Sequence, residues 1–196
     1  MQDSTSGSRL QSLWMVVAGI LFASMGVCVK LASAEFSAAE LVFYRGFISM
    51  LLLGMWVVAV GQNLRTPHWR AHIRRGISGA VSLVLYFLAI ANLPLATAVT
   101  LNYTAPLFLA VIIVFGMRER THGGLWLALL LGMLGIMALL RPTVQSGQGW
   151  GVVCGLSSGV LAAVAYFNVR QLGRLDEPEW RTVFYFSLSS SLFGLP

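Results

Sequence analysis

Residues 39–60 read AELVFYRGFISMLLLGMWVVAV, 22 residues in which only Glu40 and Arg45 carry charge. At 1.5 Å per residue such a helix spans roughly 30 Å, the depth of a bilayer's hydrocarbon core. The run shows no alternation of polar and apolar positions, so it reads as a membrane-spanning helix and not a barrel strand. Five more complete runs of this kind lie at residues 13–31, 76–92, 96–117, 124–140 and 150–169. A seventh starts near residue 183 and reaches Pro196 after about 14 residues, too few to cross a bilayer comfortably. Composition points the same way: 57% of residues are hydrophobic and 10% charged, and the mean hydropathy is +0.78. A single water-soluble core of 196 residues cannot bury that much apolar surface. The expected fold is all-α, a polytopic helical membrane protein.

The net charge of +6 would suggest nucleic acid as partner in a soluble protein, but here the basic residues sit between apolar runs. Arg9 precedes the first; Arg65, Arg70, Arg74 and Arg75 follow the second, Arg118 and Arg120 the fourth, and Arg170, Arg174 and Arg181 the sixth. The opposite breaks hold only Lys30 and Arg141. By the positive-inside rule, residues 1–12 form a cytoplasmic tail and the odd-numbered breaks face out; the expected host bilayer is the plasma membrane. A secretory signal is the rival reading of the start, given Arg9, the apolar run and Ala32-Ser33-Ala34. Lys30, placed where a cleavage region is uncharged, argues against it. Cys28 and Cys154 fall inside apolar runs and read as packing residues.

Residues 14–19 (WMVVAG) align with residues 150–155 (WGVVCG), and Val42-Phe43-Tyr44 with Val183-Phe184-Tyr185. These echoes suggest a five-helix unit at 13–141 and the opening of a second at 142–196. An odd number of crossings would insert the second copy upside down, the inverted repeat of many secondary transporters. The stretch 86–98 (YFLAIANLPLATA), then Leu101, Ala105-Pro106-Leu107-Phe108 and Arg118-Glu119-Arg120, together with Phe43-Tyr44-Arg45-Gly46, resembles the EamA family of the drug/metabolite transporter superfamily. That resemblance implies a ten-helix transporter of small metabolites, usually an exporter, of which about three helices would be absent from this chain.

Arg45 lies six residues into its run, still within hydrocarbon depth, where an arginine needs a partner inside the bundle. Two roles compete: an anchor for a substrate carboxylate or phosphate, or a structural group that snorkels or pairs with Glu40. Tyr86, Asn102, Tyr103 and Tyr166 complete the substrate-binding candidates, with helix-to-helix bonding as their alternative. Pro106 should free a carbonyl near Asn102 and distort the fourth helix. Glu40 and Glu119 read as helix-end or gating carboxylates. Gly151, Gly155 and Gly159 recur every four residues as a helix-contact strip. No Asp or Glu falls in the middle of a complete run, which favours facilitated transport over proton coupling.

Two motifs mislead. Residues 155–159 (GLSSG) satisfy the serine-hydrolase pattern around Ser157, which needs a strand-to-helix elbow and a histidine at like depth. His68 and His72 have the i, i+4 spacing of a zinc pair but no third ligand, and read, like His122, as part of a solvated cytoplasmic connection. No catalytic residue, metal or cofactor is therefore expected. The expected partners are a small-molecule substrate, the lipid bilayer and a second copy of the chain in a homodimer; nucleic acid is not among them. A non-transport membrane scaffold, in which the polar groups serve only packing, is the alternative function, and an intramembrane serine protease a remote one.

Overall fold

The computed structural model describes residues 4–117 and 123–195. They form eight helices: α1 (Ser4–Ala32), α2 (Ala38–Ala59), α3 (Trp69–Asn92), α4 (Leu95–Asn102), α5 (Ala105–Met117), α6 (Gly123–Leu140), α7 (Gly149–Arg174) and α8 (Glu179–Phe193). Five stretches are long and apolar enough to cross a membrane: Leu13–Ala32, Ala38–Ala59, Trp69–Asn92, Leu95–Phe115 and Gly149–Arg174. At 18 residues α6 reaches roughly 27 Å, the short limit for a span. The all-α, polytopic expectation therefore holds. Large apolar side chains face outward along these helices, as with Met15, Val58 and Phe115 at 77%, 82% and 79% exposure, the pattern of a protein whose solvent is lipid.

Three boundaries differ from the sequence expectation. First, α1 begins at Ser4, so most of the segment assigned to a tail is already helical. Second, α3 begins at Trp69, seven residues before its apolar run, because Arg70, His72, Arg74 and Arg75 occupy its first two turns. Third, the fourth run is two helices. Pro106 has no amide hydrogen for the Asn102 carbonyl, and the Thr104 hydroxyl donates to the Leu101 carbonyl at 2.6 Å, so α4 closes at Asn102 and α5 restarts at Ala105.

Short connections are fixed by specific bonds. Ser37 caps α2 in a capping box: the Glu40 amide donates to Ser37 Oγ at 3.2 Å and the Ser37 amide to Glu40 Oε2 at 2.7 Å. Lys30 Nζ donates to the carbonyls of Ile90, Ala91 and Leu93 at 2.7, 3.3 and 2.9 Å, placing its charge at the negative end of α3. At the same end Thr97 Oγ1 donates to the Thr143 carbonyl at 2.8 Å, so the breaks after α1, α3 and α6 gather there.

The breaks after α2 and α7 meet at the other end. Arg181 bridges them, donating to Glu177 Oε2 and to the Asn63 carbonyl, both at 2.8 Å. Thr66 Oγ1 donates to Glu177 Oε1, and the Tyr185 hydroxyl donates to the Leu64 carbonyl at 3.0 Å. His72 belongs to this cluster and is 1% exposed, which corrects the expectation of a solvated histidine loop. Its Nε2 stands 3.5 Å from Glu177 Oε2, within ion-pair reach but not aligned as a hydrogen bond. His122 lies outside the described residues.

Inside, α3 lies along α7 and α2 along α8, with α8 also touching α3, and α4 and α5 leaning on α7. Small residues permit the close approaches. A Cβ placed on Gly46 would stand 2.8 Å from the Ser191 amide nitrogen and 2.9 Å from the Ser187 carbonyl, so only glycine lets α2 lie against the α8 backbone. Cysteine chemistry plays no part in the packing: Cys28 is exposed, Cys154 is buried, and both are free.

Candidate functional site

On α3, Arg75, Gly79, Ser82 and Tyr86 recur at intervals of four, three and four, which puts them on one face. That face forms one wall of a cavity of about 650 Å³. Arg45 enters it from α2, Asn102 and Tyr103 from the end of α4, Tyr166 from α7 and Phe186 from α8. All five substrate-binding candidates of the sequence thus line one space. A second groove, lined by Met50, Gly54, Val58 and Phe184 among others, offers no polar side chain to a solute.

The arginines are the unusual feature. The Arg75 guanidinium carbon lies 4.3 Å from the centre of the Phe186 ring and that of Arg45 5.7 Å from the same centre. The charges are therefore no farther apart than these two distances laid end to end. At roughly 10 Å and an effective dielectric near 20, two like charges repel by about 1.7 kcal/mol. Each cation–π contact returns about 0.5 to 2 kcal/mol. Among the described residues no carboxylate pairs with either arginine: Glu40 is engaged by Ser37 and Glu177 by Arg181 and Thr66. The Arg45–Glu40 pair considered from the sequence does not form. Arg75 Nε and Nη1 are buried with no acceptor at all. Gly79 makes room for this guanidinium, since a Cβ there would collide with it and stand 2.8 Å from Phe186 Cε2.

Asn102 serves packing and cavity together: its Nδ2 donates to Ser158 Oγ at 3.1 Å while the residue lines the space. Ser158 is fully buried and in turn receives Ser82 Oγ on its carbonyl at 2.8 Å, tying α3, α4 and α7 together beneath the cavity. Tyr103 and Tyr166 are about half exposed, at 51% and 52%. Pro106 is exposed and stands outside the cavity lining. Glu119 lies outside the described residues. Gly151, Gly155 and Gly159 face the α3–α5 segment: a Cβ on them would stand 2.8 Å from Leu93, 2.7 Å from Leu101 and 2.6 Å from Thr104 Oγ1, respectively.

Sequence reading missed Arg75, Ser82 and Phe186. Arg75 reads as a loop cation because the apolar run of the third helix starts at Gly76. The signal that would have found it is the four-member face it shares with Gly79, Ser82 and Tyr86. Ser157 sits inside the unbroken helix α7, without the strand-to-helix elbow a hydrolase needs. No group of three or more metal-ligating side chains occurs among the described residues.

The profile of the EamA-like transporter family matches residues 9–141. The pseudopaline exporter CntI of Pseudomonas aeruginosa is 35% identical over 184 residues, covering 94% of this chain and 64% of that protein. A riboflavin transporter of Rhizobium johnstonii is 26% identical over 187 residues, covering 93% of this chain and 61% of the relative. An S-adenosylmethionine uptake transporter of Rickettsia conorii is 22% identical, with 93% and 62% covered. The chain therefore spans less than two thirds of the length of these relatives. No solved structure matches. With the family profile covering most of its length, the chain belongs to the EamA-like transporter family.

Proposed function

We propose that this protein carries a small organic solute across the plasma membrane, outward from the cytoplasm, through the cavity between α1, α2, α3, α4, α7 and α8. One observation carries the reading: polar and aromatic groups from five helices converge on one space of about 650 Å³ inside the bundle. Export follows the 35% identical relative, whose name is that of an exporter. The N-terminus is cytoplasmic, as the cations of the even-numbered breaks and the tail favour, nine of them with Arg75 set aside inside the bundle. With α4 and α5 counted as one span, the helices up to Arg141 make one five-span unit and α7 and α8 open an inverted second; the run of α3 along α7 and of α2 along α8 fits a site between two halves. Among the described residues no Asp or Glu lines the cavity, so facilitated movement down a solute gradient is the simplest energetics.

The test is flux of a solute panel into proteoliposomes holding the full-length protein, with Tyr103→Ala as control. Tyr103→Ala should lower uptake at least about tenfold, or ~1.4 kcal/mol of barrier, while the protein still inserts and elutes as a single species. Wild-type vesicles no more permeable than empty ones to every solute would leave a scaffold, with cavity groups serving only packing. Uptake that demands an imposed pH gradient would replace facilitated movement by proton coupling.

A further inference from the structure

Arg45 and Arg75 come from different helices, converge on one ring, and carry two positive charges into a space where, among the described residues, no acidic side chain answers them. Charge buried at this depth is retained where something of opposite sign meets it. Arg75 is held for such a meeting: Gly79 clears its path, Phe186 supports its face, and two of its nitrogens are buried without an acceptor. We infer that the carried solute is a compact dianion, two carboxylates on a short apolar spacer, one carboxylate on Arg45 and the other on Arg75. The inference rests on the transport reading and names the class of its substrate.

The chemistry of the lining favours two separated carboxylates over one multiply charged group. The Phe186 ring is shared by both guanidinium groups, which keeps an apolar surface at their junction. Neither guanidinium has a hydrogen-bond or ion-pair partner among the described residues, so each charge is left for one carboxylate, a group whose charge and acceptor oxygens suit arginine. Phe22, Leu83 and Tyr86 supply further apolar area for the spacer. A diamine meets two like charges, and a zwitterion can satisfy only one arginine while bringing its ammonium to the other.

The full-length protein in detergent, melted at constant ionic strength, gives the test, with glutarate, pentanoate, inorganic phosphate and cadaverine as probes. Glutarate should raise the melting temperature at concentrations about tenfold or more below those of pentanoate, and cadaverine should leave it unchanged. Arg45→Gln and Arg75→Gln should each reduce glutarate to the level of pentanoate. Arg45→Lys and Arg75→Lys, which keep the charge and guard against a Gln variant that fails to fold, should retain part of the difference. Glutarate no better than pentanoate, a glutarate advantage surviving either Gln substitution, or phosphate outperforming glutarate would each overturn the assignment. Glutarate binding without flux of any solute would remove the transport reading and leave the anion site. Flux of neutral solutes without dianion binding would do the reverse.

Discussion

The carboxylate of Glu177 accepts from Thr66 and Arg181 and faces His72, while its side chain is only 3% exposed. Burial pushes its pKa up, but the hydrogen bonds from Thr66 and Arg181, the Arg181 charge and the approach of His72 outweigh it and hold the carboxyl below its ordinary value. The unfolded chain then takes up this proton before the folded one does. Stability from Glu177 is fully present above the unfolded pKa of about 4.3 and drains away as pH falls from there through the lower native value. Melting in detergent between neutral pH and pH ~3.5 should show a loss below about 4.3 that Glu177→Gln makes shallower. At neutral pH, Glu177→Ala should cost about 3 kcal/mol, since it strands Arg181 without its buried partner. Lys30 makes the matching bond at the other end. Lys30→Met keeps the aliphatic stem but leaves the carbonyls of Ile90, Ala91 and Leu93 without their donor, and should cost about 1.5 to 3 kcal/mol in the same melts. Lys30 reads in the sequence only as an outer-break cation, and Glu177 does not stand out, because Thr66 and His72 reach its carboxylate from more than a hundred residues away.

Between helices, the contact of α2 with α8 depends on Gly46, whose absent side chain leaves room for backbone atoms of Ser187 and Ser191. Gly46→Ala must push the helices apart, because the obstructing atoms are main chain and cannot rotate away; the cost should be about 1 to 3 kcal/mol. The same shift carries Phe186 away from Arg45, so solute affinity should fall along with the melting temperature. Equal flux and equal melting in Gly46→Ala would show that this contact is looser than its geometry implies. Helix existence was legible here, since a span announces itself by apolar length. Helix ends were not. Arg70, His72, Arg74 and Arg75 lower the local hydropathy and hide two turns of α3, although the helix turns His72 and Arg75 inward and leaves Arg70 and Arg74 exposed. The α4–α5 break was half legible: Pro106 located the disturbance, but complete separation also needed the Thr104 hydroxyl on the Leu101 carbonyl.

At the scale of the molecule, the class of the fold and the gathering of Arg45, Tyr86, Asn102, Tyr103 and Tyr166 around one cavity followed from a simple constraint. A polar group at membrane depth has nowhere to go but inward, so scattered polar residues on apolar helices find each other. Arg75 escaped that logic because it was placed outside the membrane. The threading itself can be checked on a background with Cys28 and Cys154 replaced by Ala, using single cysteines at four exposed positions: Glu35 and Gln145 at one end, Gln62 and Asp176 at the other. The Lys30 and Thr97 bonds put the first pair's loops together, and the Arg181 bridge does so for the second. Intact cells treated with a membrane-impermeant maleimide should label Glu35→Cys and Gln145→Cys, while Gln62→Cys and Asp176→Cys react only after permeabilisation. The reverse pattern would keep the bundle but turn it over, placing the N-terminus outside against the charge bias. Gln62→Cys and Asp176→Cys on opposite sides would break the Arg181 bridge between α2 and α8, and with it the cavity that brings Arg45 to Arg75.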